Sequence, residues 1–100
     1  MSNSQNGFLE MHQSIINEIW YKDKDAKALM IHIVLNVDID EPNIWKYQVP
    51  IQQIVGEMGL TTNQVRGAID KLVAHGVITC EMSDNCFIFY VVDHKNFQIK

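Results

Sequence analysis

The spacing of apolar residues changes period several times along this chain, and each change marks an element. Phe8, Met11, Ile15, Ile16, Ile19 and Trp20 recur at three- and four-residue steps, which predicts an amphipathic helix over residues 8–20. Lys22, Asp23, Lys24 and Asp25 form a short charged connector, with Asp23 or Asp25 placed to cap the next helix. Residues 26–36 are apolar almost all round, through Ala28, Leu29, Met30, Ile31, Ile33, Val34 and Leu35. That pattern predicts a helix buried on several sides. Residues 38–43 read as an acidic, turn-rich loop. Residues 44–49 alternate large and polar side chains, which predicts a short strand.

The next segment carries the clearest signals. Pro50 suits the first turn of a third helix, where its missing N–H costs nothing. Gly59 ends that helix in the left-handed position. Thr61, with Gln64 three residues on, makes a capping box for a fourth helix. Val65, Ala68, Ile69, Leu72 and Val73 form its buried stripe. Thr62, Asn63, Gln64, Arg66, Gly67, Asp70 and Lys71 are left outside, and Gly76 stops the helix. Residues 77–82 and 86–92 are strands turned by Ser83, Asp84 and Asn85. On the last strand Phe87, Phe89 and Val91 point one way, and Ile88, Tyr90 and Val92 the other. Both faces are apolar, and the second one needs a cover. A partner subunit would make Ile88, Tyr90 and Val92 an oligomer interface; the chain's own N-terminal helix is the alternative.

The expected fold is therefore α+β: a winged helix-turn-helix with a helical N-terminal extension, in the order α-α-β-α-α-β-β. Residues 1–7 are expected to be a flexible tail and residues 8–100 the domain. Two tightly joined helices followed by a hairpin hold one helix out toward a DNA groove. The candidate DNA contacts are Thr61, Thr62, Asn63, Gln64, Arg66 and Lys71. Arg66 suits a phosphate or a guanine edge, and Asn63 and Gln64 suit adenine edges. Each has a structural alternative: Arg66 can pair with Asp70 four residues on, and Gln64 can be engaged in the capping box.

Charge tempers this picture. The net charge is −4. Residues 1–60 hold four lysines against eight carboxylates, while residues 61–100 hold four groups of each sign. The DNA-facing half is neutral and its hairpin tip, Glu81 to Asn85, is acidic, so duplex binding should be weak. A homodimer would offset that weakness through avidity.

Other chemistry is sparse. There is no Ser or Cys nucleophile spaced with His and Asp and no phosphate-cradling glycine loop, so no enzyme is expected. Cys80 and Cys86 flank the hairpin turn, where free thiols are expected and a cross-strand disulfide is the alternative. Their spacing and the scattered His12, His32, His75 and His94 fit no zinc template, so neither metal nor cofactor is expected. His32 reads as a satisfied core histidine, and Trp45 with Tyr47 as one packed strand face. The longest apolar stretch, residues 28–35, is too short to span a bilayer. The polar, uncharged opening resembles no signal peptide, which leaves a cytoplasmic location as the expectation.

Several blocks together resemble a known family. Residues 7–12 (Gly-Phe-Leu-Glu-Met-His), 20–23 (Trp-Tyr-Lys-Asp) and 28–33 (Ala-Leu-Met-Ile-His-Ile) resemble the opening of phage and mobile-element replisome organisers, the DnaD-like replication initiation proteins. The likeness resumes at residues 58–61, 64–68, 71–72, 76–78 and 91–97. The resemblance implies an N-terminal winged-helix domain that serves DNA binding, self-association or both, alongside other replication proteins. Where the family's opening helix is commonly basic, this chain shows Glu10, Gln13, Ser14, Asn17 and Glu18. An adaptor domain that binds protein, and a small transcriptional regulator, are the alternative roles.

Overall fold

The computed structural model describes residues 9–40, 44–92 and 97–99. The elements run β1 (Leu9–Met11), two 3-10 turns (Gln13–Asn17 and Ile19–Lys22), α1 (Lys24–Asn36), β2 (Asp38–Asp40), β3 (Ile44–Pro50), α2 (Ile51–Met58), α3 (Thr62–Ala74), β4 (Ile78–Ser83), β5 (Cys86–Val91) and β6 (Phe97–Ile99). The chain is thus α+β, with three helices and a four-stranded antiparallel sheet ordered β2-β3-β5-β4. A separate two-stranded pair joins β1 to β6, with Leu9 opposite Ile99.

Alternation on two strands builds the core. Trp45, Tyr47 and Val49 of β3, with Phe87, Phe89 and Val91 of β5, are buried on one face. The register sets Tyr47 opposite Phe89, and their rings stack with centroids 6.1 Å apart. The helices close this face with Ala26, Leu29, Met30, Ile33 and Val34 of α1, Ile54 of α2, and Val65, Ala68, Ile69 and Leu72 of α3. No polar or charged residue among those described is buried. Among the described residues no helix is long and apolar enough to cross a membrane.

The structure corrects the N-terminal expectation. Residues 9–22 form a short strand and two 3-10 turns instead of an amphipathic helix. Ile15 and Trp20 are buried, but Met11, Ile16 and Ile19 are exposed, so the three- and four-residue spacing has no continuous face to bury. His12 captures the Ser14 N–H at 3.0 Å, and Glu18 is extended and interrupts the run. The described order is therefore β-α-β-β-α-α-β-β-β with the two turns, not α-α-β-α-α-β-β. The expected tail over residues 1–7 lies outside the described residues.

Smaller departures follow the same logic. α1 is not buried all round: Ala28 and Leu35 are exposed, and its buried residues share one face. Part of the expected acidic loop is β2, which pairs Asp38 with Lys46 and Ile39 with Trp45. Pro50 stands at the N-cap of α2 rather than in its first turn, and the Ile51 N–H is satisfied by the Asn85 carbonyl at 2.9 Å. That bond ties the hairpin tip to α2.

Candidate nucleic-acid interface

Helix α3 is held by local chemistry at both ends. Thr61 Oγ1 accepts the Gln64 N–H at 3.1 Å, and Gln64 Oε1 accepts the Thr61 N–H at 2.9 Å. The capping box read from the sequence is formed, and it engages the Gln64 carbonyl oxygen in place of an adenine edge. Upstream, Gly59 adopts φ 67° at the C-cap of α2 and turns the chain between the two helices. Downstream, Gly76 at φ 73° releases the chain into β4. A side chain at either glycine would be strained.

The outward face of α3 carries Thr62, Asn63, Arg66 and Asp70, all exposed. Gly67 lies among them, and a Cβ built on it meets nothing within 4 Å. Arg66 does not pair with Asp70. Its guanidinium reaches across to the hairpin, with Nη1 3.7 Å from Met82 Sδ and the cation 5.7 Å from the centre of the Phe87 ring. This exposed cation–π contact contributes about 0.5–1 kcal/mol, little enough for a phosphate to displace it.

Lys71 turns the other way. Its ammonium pairs with Asp23, the N-cap of α1, whose carboxylate also accepts the Ala26 N–H at 3.0 Å. The lysine and then the Ala26 amide hold Asp23 below the usual carboxylate range, while Asp23 holds Lys71 above the usual lysine value. The structure thus separates the candidate contacts. Thr62, Asn63 and Arg66 share the open face, Thr61 and Gln64 close the cap, and Lys71 is tied to α1.

The hairpin tip is acidic and tight. Asp84 and Asn85 both have left-handed backbones, φ 51° and 63°, as a two-residue type I′ turn requires. Ser83 belongs to β4 and pairs with Cys86. Cys80 pairs with Phe89, so the two cysteines sit on opposite faces of the hairpin, and both are free thiols. The disulfide alternative is excluded by this register. Burial pushes the Cys80 thiol up, which keeps it protonated and a poor nucleophile.

The outer sheet face is narrower than the sequence suggests. Ile88 and Tyr90 are half-buried and Val92 is exposed. The register flanks Tyr90 with Lys46 and Thr79, and Ile88 with Gln48 and Glu81. The apolar stripe is one strand wide and bordered by polar groups.

One polar cluster joins residues from three elements and carries no local sequence signal. His32 Nε2 lies 3.1 Å from Glu57 Oε1 and 3.4 Å from the Tyr47 hydroxyl, and Gln53 Nε2 donates to Glu57 Oε2 at 3.0 Å. The Gln53 amide and then His32 hold Glu57 below the usual carboxylate range. Burial, with the Glu57 charge, pushes Tyr47 up to about 12. These bonds pin α2 against α1 and β3. His32 therefore has its partners, as a structural histidine should.

No family model, no curated protein and no solved structure matches this chain.

Proposed function

We infer that this chain is a winged-helix module of the DNA replication initiation type, binding duplex DNA weakly through the N-terminal half of α3 and acting as a homodimer. One observation carries the DNA reading. A capped helix presents Thr62, Asn63 and Arg66 side by side on an open face, and Gly67 in that face leaves room for close approach of a backbone. The arrangement of α2, the Gly59 turn, α3 and the β4–β5 hairpin supports the winged-helix assignment. Weakness follows from charge. Arg66 is the cation on that face, Lys71 is held by Asp23, and the hairpin tip offers Asp84 and Glu81 where phosphate needs a positive group.

The test is an amide-resolved NMR titration of the domain with a short random duplex at low salt. The expected shifts cluster at Thr62, Asn63, Arg66 and Gly67, and Arg66→Ala weakens binding and flattens its salt dependence. Shifts elsewhere, or an Arg66→Ala domain that binds as well as wild type, would overturn the reading.

A second reading, an adaptor or oligomerisation domain, is favoured by the half-buried Ile88 and Tyr90 and exposed Val92 on the outer sheet face. It predicts association without DNA.

A further inference from the structure

Between α3 and β4 lies an open, largely apolar groove of about 450 Å³, whose lining shares Arg66 with the DNA reading. Ile69, Val73 and Ala74, with Arg66 and Asp70 beside them, form its helical wall, and Cys80, Met82 and Phe87 its sheet wall. Val73 and Met82 are 42% and 53% exposed. The sequence pattern assigned Val73 to the buried stripe of α3, and here it faces open space instead.

The groove lies beside a sheet edge that no other strand among the described residues pairs with. β4 is an outer strand of the four-stranded sheet. The Val92 N–H bonds the Val77 carbonyl at 2.9 Å, which marks this position as a hydrogen-bonded pair of the β4–β5 ladder. Antiparallel ladders alternate, so Thr79, Glu81 and Ser83 direct their main-chain groups into β5. Ile78, Cys80 and Met82 direct theirs to the outer edge. These same residues point their side chains to the helix side, where Cys80 and Met82 line the groove. Main-chain demand and the apolar pocket therefore fall on the same residues.

A strand laid antiparallel against this edge has its side chains dictated by that register. Residues opposite Cys80 and Met82 point into the groove against Ile69 and Val73. Residues opposite Thr79 and Glu81 point to the outer face, where Glu81 is exposed. Glu81 makes that outer side acidic, which suits a cation from the incoming strand. Duplex DNA meets none of these requirements. It has no extended main chain to continue a sheet, and the acid repels it.

From this we propose that β4 and the α3–β4 groove bind an extended peptide segment of a partner protein by antiparallel strand addition, with apolar residues inward and basic residues outward. The mode combines main-chain bonds for affinity with side-chain pockets for specificity. It stands independently of the DNA reading, although Arg66 lines both surfaces.

The probe is a short fluorescein-labelled peptide alternating valine and lysine, titrated by anisotropy with the intact domain. The expected result is binding of roughly micromolar strength, lost when the valine amides are N-methylated and kept when the lysine amides are. A matched valine–glutamate peptide should not bind. Val73→Asp, at an exposed position that leaves the core intact, should weaken binding by about tenfold or more. No binding of the valine–lysine probe would overturn the proposal, as would binding indifferent to valine-amide methylation or to Val73→Asp. Arg66→Ala distinguishes the two surfaces: it should weaken duplex binding while the amide-methylation pattern of the peptide persists.

Discussion

Replacing Asp23 by Asn and by Ala separates the cap of α1 from the ion pair that holds Lys71. The carboxylate accepts the Ala26 N–H at 3.0 Å and pairs with the Lys71 ammonium. Asparagine keeps the capping bond and removes the charge, so Asp23→Asn should change stability little at neutral pH, because exposed ion pairs contribute weakly. Alanine removes the cap as well, and Asp23→Ala is expected to be less stable than Asp23→Asn by about 1 kcal/mol. The pH dependence has a definite sign. Asp23 is held below its ordinary 3.8, so its contribution is full above that value and fades as pH falls through the lower folded value. Lys71 is held above its ordinary 10.5, so its contribution is full below that value and fades as pH rises through the raised one. Urea midpoints of Asp23→Asn should therefore decline less than those of wild type as pH drops below about 4. The same substitution releases Lys71 on α3, the helix proposed to meet DNA. One additional phosphate contact steepens the salt slope by about 0.9, so Asp23→Asn should bind duplex more tightly than wild type at low salt. Unchanged affinity and slope would refute the idea that this pair withholds Lys71, and equal stability of the Asn and Ala variants would refute the cap.

Three further outcomes are expected. Phe89→Ala empties the site stacked on Tyr47 and should cost about 3–5 kcal/mol, a large share of the stability of a chain this size; a loss under about 1 kcal/mol would contradict the packing. Gly67→Ala fits open space in α3 and should raise stability by up to about 1 kcal/mol, while weakening duplex binding if the backbone approaches DNA there; calorimetry and anisotropy on one preparation separate the effects. Tyr90→Glu on the outer sheet face should convert the proposed dimer to monomers by sedimentation, and an unchanged molecular weight would remove that stripe as the interface.

What the sequence made legible is what local rules govern. The capping box at Thr61 and Gln64, the glycine stops at Gly59 and Gly76, and the alternation of Phe87, Phe89 and Val91 each depend on neighbours a few residues away. The errors lie where distant partners decide. Residues 9–11 are a strand because residues 97–99 pair with them, and nothing in the local spacing of Met11, Ile15 and Ile19 announces that partner. Lys71 is tied to an aspartate 48 residues away, a partner that its position on α3 does not announce. Arg66 followed the same course, preferring the Phe87 ring across the groove to Asp70 on its own helix. The cysteines needed a register as well as a turn, since one step of slippage changes the face on which a strand residue lies.

The proposed function rests on weak, electrostatic contact between the open face of α3 and a duplex. Anisotropy of a labelled random duplex, titrated with the domain across a range of salt concentrations, addresses it most directly. The expected result is a dissociation constant of roughly 1–100 µM at physiological salt, tightening steeply as salt is lowered, with a shallower slope in Arg66→Ala. Flat anisotropy at high protein concentration and low salt would contradict it, and would leave α3 as scaffold for a domain that binds protein.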